Sequence, residues 1–206
     1  MQSAAIGFRA HSGWASLVAL TLIDGVAMIL SRRRVHLVET FTYTFRQPYH
    51  TGEKMPLDEA KAFISGVSSE AKRLALRAIK DLQKTLAPQG YPLTHCGLLL
   101  ASGRPLPALP KILASHALIH TADGELFRGA ILHASARCGL ASTAVKERDL
   151  LALASEALRI KPGVLTRHIA DLGKPLGPPW TQDEKLASMI AWLALASPPP
   201  RLVRRA

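Results

Sequence analysis

Apolar positions between residues 4 and 38 follow a strand pattern, and from residue 57 they switch to helical spacing. Ala4 to Arg9 reads as a short strand and His11-Ser12-Gly13 as a turn. Trp14 to Ile23, rich in β-formers, reads as a second strand. Asp24-Gly25 follows, a strong hairpin signal because a type I′ turn needs positive φ at both central residues. Val26 to Val38 is the third strand, and period-2 alternation puts Ser31, Arg33 and Val35 on one face and Arg32, Arg34 and His36 on the other. These segments form an antiparallel meander.

Phe41 to Met55 reads as a connection, with turn residues at Arg46-Gln47-Pro48-Tyr49-His50 and Thr51-Gly52. A long helix is predicted from Leu57 to Leu86. Pro56 suits its first turn, Asp58 and Glu59 complement its dipole, and Ala60, Phe63, Ile64, Val67, Ala71, Leu74, Ala75, Ala78, Leu82 and Leu86 recur at helical spacing. Arg73, Arg77, Lys80 and Lys84 make a basic stripe beside that apolar seam. His95 to Ala101 is a short apolar run, read as a buried strand closed by Ser102-Gly103. A helix is expected from Leu109 to Ala136, broken near Asp123-Gly124, with Gly139 as its cap. Ala141 to Val145 is a strand, Asp149 caps a helix from Leu150 to Leu158, and a short helix carries Val164 to Leu172. Thr181-Gln182-Asp183-Glu184 is a capping box opening the last helix. Residues 1–196 are read as one domain and 197–206 as a flexible Pro-rich tail bearing Arg201, Arg204 and Arg205. Strand–helix alternation after the meander implies parallel strands covered on both faces, an α/β class with a mixed sheet.

Composition narrows the function classes. With 48% hydrophobic residues, the 206-residue chain can bury a real core and is not a disordered tail. The formal net charge of +11 favours polyanions and makes nucleic acid a candidate partner. An Arg-rich coding bias produces the same surplus. Cys96 and Cys138 sit in apolar runs and give neither a disulfide framework nor a metal cluster. The apolar run from Trp14 to Leu30 is interrupted by Asp24-Gly25, so the chain is expected to be soluble and cytoplasmic, without a membrane span.

Meander, long helix, strand, helix, strand, helix is an order that resembles the ribonuclease H-like fold over residues 3 to 196. Two short stretches are similar to bacterial Holliday-junction resolvase-like proteins: Val145-Lys146-Glu147-Arg148-Asp149-Leu150 after a short strand, and the helix beginning Asp183-Glu184-Lys185-Leu186-Ala187. The resemblance implies clustered carboxylates that hold two divalent cations against a phosphodiester. It also implies an Asp on the first strand, in an Asp-x-Gly pattern. Here that stretch reads Ile6-Gly7-Phe8-Arg9-Ala10-His11-Ser12-Gly13, with no acid, and the fourth strand ends Ala101-Ser102-Gly103. Glu147 and Asp183 are what remains of such a set, and Asp183 also suits the first turn of a helix.

Histidines offer a second chemistry. His116 and His120 are four apart and share a helix face, Glu125 and Arg128 follow, and His11 lies at the first hairpin. Such a pair can ligate a metal or hold a phosphate, with a Glu as acid–base partner, although the zinc-protease pattern would need Glu where Ala117 stands. Surface or structural roles account for the same residues, and His50 is a loop candidate for the same cluster. Three function classes follow. The leading one is a non-catalytic or weakly catalytic nucleic-acid-binding module using Arg32, Arg33, Arg34, Arg73, Arg77, Lys80, Lys84 and the tail. The second is a metal-dependent phosphodiesterase or other hydrolase on His11, His116, His120, Glu125, Glu147 and Asp183, with a divalent metal as cofactor. The third is a protein-interaction module using the Pro178-Pro179-Trp180 segment and an apolar helix face.

Overall fold

A computed structural model describes residues 1–101 and 105–196. Ser102, Gly103, Arg104 and the basic tail from 197 to 206 lie outside the described residues. Five strands form one sheet in the order β3-β2-β1-β4-β5: β1 Ala4–His11, β2 Trp14–Ile23, β3 Val26–His36, β4 Leu93–Leu100 and β5 Ala141–Lys146. The first three are antiparallel and β1, β4 and β5 are parallel, giving the expected mixed sheet. The hairpin turn carries positive φ at both Asp24 (49°) and Gly25 (80°), as a type I′ turn requires.

Helices cover both faces. Helix α3, Leu57–Leu86, spans the predicted residues and packs with α5, His116–Arg137, against one face through Ile6, Phe8, Leu17, Ile79 and Phe127. The other face holds α6 Leu150–Leu158, α7 Pro162–Asp171 and α8 Gln182–Ala196 over Ala5, Leu20 and Leu99. The tightest contact is between α8 and the sheet. A Cβ on Gly7 would stand 1.9 Å from the Ala187 carbonyl oxygen, and one on Gly97 would stand 2.4 Å from that of Ile190. These two glycines let helix backbone lie directly on strand backbone. The capping box of α8 forms as expected: the Thr181 oxygen accepts from the Asp183 amide (3.2 Å), and Glu184 accepts from the Thr181 amide (2.8 Å).

Four local expectations are corrected. The 41–55 connection contains two short helices, α1 Tyr43–Arg46 and α2 Pro48–Gly52, with Pro48 at the first helical position of the second. The break in the next helical region falls at Ala114–Ser115, between α4 Leu109–Leu113 and α5. Asp123-Gly124 does not break it, because Asp123 is buried in contacts made from inside the helix and Gly124 makes room for the Arg128 guanidinium. Asp149 makes no side-chain cap and belongs to a short 3-10 turn, Glu147–Asp149. The third strand stops at His36, and Leu37 and Val38 turn into the core. No helix among the described residues is long and apolar enough to cross a membrane.

Candidate functional site

Because β1, β4 and β5 are parallel, their final residues His11, Leu100 and Lys146 share one end of the sheet. Arg9 projects to the α8 face there. It sits two residues beyond Gly7, and Asp183 sits one helical turn before Ala187, so the strand and helix periodicities bring the two side chains together. Arg9 Nη1 donates to Asp183 Oδ1, while Nε and Nη2 donate to Glu147 Oε2 (3.0 Å) and Oε1 (3.2 Å) as a two-pronged pair. Burial works against the charged guanidinium, but hydrogen bonds and charge from Glu147 and Asp183 outweigh it and hold its pKa above the ordinary value. His11 Nε2 lies 3.1 Å from Asp183 Oδ2, and its ring stacks on Trp14 at 4.2 Å. The Arg34 guanidinium lies 3.9 Å from the centre of the Trp14 ring.

A cleft of about 570 Å³ opens beside this centre, lined by Arg9, Arg128, Glu147, Arg148, Gln182 and Leu186. Arg128 donates to Glu125 Oε1 (3.1 Å), and its buried Nε has no hydrogen-bond partner among the described residues. Glu125 is therefore paired with an arginine and not with the histidines it follows in sequence.

A second constellation stands at the same end of the sheet, built by α2 and the first turns of α5. The ligand-capable atoms of His50, His116 and His120 all lie within 4.8 Å of one another. His116 Nε2 and His120 Nε2 are 3.0 Å apart. His50 is buried, with its Nδ1 2.5 Å from Asp123 Oδ2, and Asp123 Oδ1 accepts from the Tyr49 amide at 2.7 Å. Burial pushes the Asp123 carboxyl above its ordinary pKa, opposed by those hydrogen bonds; burial also raises the Tyr49 hydroxyl. Arg128, at the cleft, is eight residues beyond His120 on α5, or about 12 Å along the helix axis. The six residues expected to form one hydrolytic site thus divide: His11, Glu147 and Asp183 gather at Arg9, His116 and His120 join His50 and Asp123, and Glu125 pairs with Arg128. Asp123 is the acid that reading the sequence missed. Its signal was present, since positions 116, 120 and 123 lie on one helical face.

The predicted basic residues also separate. Arg73, Arg77, Lys80 and Lys84 are all exposed along α3, and Arg73 pairs with Glu39 (2.5 Å). The stripe runs toward the opposite end of the sheet, where the chain after α3 meets the start of β1 (Gln2 amide to Gly90 carbonyl, 2.8 Å). Arg32 donates to the carbonyls of Gly177 (3.1 Å) and Pro179 and anchors that loop, while Arg33 and Arg34 are exposed. Trp180 packs on Gly173 and donates to the Ile169 carbonyl (3.0 Å), so it is a packing residue rather than a free platform. An apolar groove of about 480 Å³ between the β2–β3 hairpin and α7 lies apart from all of these charges.

The chain matches no protein-family model and no curated protein sequence. It does match solved structures. Over 94% of this chain and 93% of the other, it is similar to Thermus thermophilus RuvC in complex with a Holliday junction substrate, with a TM-score of 0.50 and 11% identity. A second Thermus thermophilus RuvC structure matches over 95% and 94%, with a TM-score of 0.48 and 12% identity. The fold is ribonuclease H-like. Within that fold, Arg9 stands on the first strand at the end of the sheet where Glu147 and Asp183 meet.

Proposed function

We propose that this chain is a ribonuclease H-like nucleic-acid-binding protein that does not cut phosphodiesters by two-metal chemistry. The observation that carries this reading is the Arg9 guanidinium, bonded to Glu147 and Asp183 together. A two-metal centre needs carboxylates free to bind two divalent cations. Here a fixed cation already satisfies both acids, and its charge repels another. The net charge of +11 supports binding to a polyanion, with exposed Arg33, Arg34, Arg73, Arg77, Lys80 and Lys84 as contacts. Arg32 serves the Gly177–Pro179 loop and is secondary. The α3 stripe begins beside the end of β3, where Arg73 pairs with Glu39, and runs away from Arg33 and Arg34 along the helix.

Fluorescence anisotropy with labelled single strands, duplex and a four-way junction, over a salt series with and without Mg²⁺ or Mn²⁺, tests this. The expected result is salt-sensitive binding without cleavage. Replacing Arg73, Arg77, Lys80 and Lys84 together with Ala should lower the log–log salt slope by about 3. Absence of binding at low salt would overturn the binding half and point to a protein partner. Mg²⁺-dependent cleavage that is lost in Asp183→Asn would overturn the other half.

A further inference from the structure

The three-histidine constellation gathers three imidazoles, two of them 3.0 Å apart at their Nε2 atoms, a spacing that a ring-to-ring hydrogen bond or one shared ion can hold. His116 and His120 are exposed on the first turns of α5, and His50 is buried on α2, 66 positions earlier than His116. The three rings meet edge to face in every pairing, at 86° for His50–His116, 69° for His50–His120 and 79° for His116–His120, with centroids 5.3, 4.4 and 4.4 Å apart. Mutually tilted rings with their nitrogens turned inward are the arrangement imidazoles take around one ion. The 3.0 Å between the Nε2 atoms of His116 and His120 compares with the ~3.3 Å that two nitrogens span on a tetrahedral zinc with bonds of about 2.05 Å.

The surroundings are built as well. His50 Nδ1 is held by Asp123 at 2.5 Å, which fixes the tautomer with the proton on Nδ1 and leaves the Nε2 lone pair free. Asp123 is itself fixed by the Tyr49 amide and is 3% exposed. A buried carboxylate behind a ligating imidazole is the usual second layer of a histidine metal site.

We propose that His50, His116 and His120 bind one divalent transition-metal ion of the zinc class, with Asp123 as the positioning residue behind His50. An all-imidazole set selects Zn²⁺, Ni²⁺, Cu²⁺ or Co²⁺ over Mg²⁺ or Ca²⁺. Three protein ligands leave a coordination position free, and the exposure of His116 and His120 opens that side to water or an anionic ligand. The site ties α2 to α5 and is separate from the Arg9 centre, so it stands whether or not the chain binds nucleic acid.

The test uses the full chain without a polyhistidine tag, stripped with a chelator. It is titrated with Zn²⁺ by calorimetry and with Co²⁺ by visible absorption. The expected result is one equivalent bound, the d–d bands of a low-coordinate cobalt site, and a higher Tm with Zn²⁺. His116→Ala/His120→Ala, which alters two exposed side chains, should keep the wild-type circular dichroism spectrum and lose Zn²⁺ affinity at least 100-fold. Asp123→Asn should keep the stoichiometry and lose about 10- to 100-fold. Failure of the wild type to bind Zn²⁺, or equal affinity in the folded double variant, would overturn the proposal.

Discussion

Two polar centres stand at the same end of one sheet and solve opposite problems. In the first, carboxylates of Glu147 and Asp183 meet a guanidinium supplied by β1, so acceptors and donors are matched within the chain. In the second, three imidazoles converge with a buried Asp123 behind one of them, and no Lys or Arg among the described residues pairs with them. A matched centre contributes to folding and resists ligands. An unmatched one contributes little by itself and leaves room for an ion. One residue, Arg9, occupies both carboxylates of the first centre.

The strongest way to break the comparison acts on the contact beneath the first centre. Gly7→Val drives a side chain into the backbone of α8, where even a Cβ would stand 1.9 Å from the Ala187 oxygen. It is expected to cost more than ~3 kcal/mol in urea unfolding, as overpacking against backbone cannot relax by rotamer change. Smaller effects follow from removing one centre at a time. Arg9→Ala leaves two carboxylates facing each other and should cost about 1–3 kcal/mol, because charge-assisted hydrogen bonds to a partly buried group are lost. Mn²⁺ should raise the Tm of Arg9→Ala more than that of the wild type, by giving Glu147 and Asp183 another cation. Without added metal, His116→Ala/His120→Ala should stay within about 0.5 kcal/mol of the wild type, as for other exposed sites. Equal losses in the two variants would erase the distinction between the centres.

The finest prediction uses a thiol as a reporter. Burial pushes the Cys96 thiol up to about 12, only partly offset by its hydrogen bond from Ser135 of α5. Native protein should therefore expose one reactive thiol, Cys138, whose pKa is also raised by burial although Lys80 opposes it. Cys96 belongs to the α3–α5 side of the sheet, and its neighbour Gly97 to the α8 side. If Cys96 stays unreactive in folded Gly7→Val protein, the α5 face survives damage to the α8 face, and the histidine centre persists without the arginine centre. A newly reactive Cys96 would show that the two faces stand or fall together.

Much of the fold was legible in the residues. The span Leu57–Leu86 of α3 follows from apolar spacing over thirty residues, and the Asp24-Gly25 hairpin from the φ values its turn demands. The capping box at Thr181 and the helix Leu150–Leu158 are likewise local. The break before α5 was read at Asp123-Gly124, because those residue types end helices when nothing else holds them. Here Tyr49 and His50, more than seventy positions away, hold Asp123 inside one. Likewise Glu125 looked like the partner of the histidines by proximity in sequence, while Arg128, one turn on, takes it.

By itself, the sequence determined most of the strands and long helices, the mixed α/β class, the absence of an acid from Ala4 to His11 and the stock of histidines and arginines, because each depends on side chains a few positions apart. Only the tertiary structure decided how that stock is divided. Glycines at 7 and 97 let α8 settle onto the sheet and carry Asp183 to Arg9, and the crossing of α2 over α5 brings His50 to His116 and His120. Contacts between residues 66 to 180 positions apart depend on how whole elements pack, and local periodicity carries no record of that.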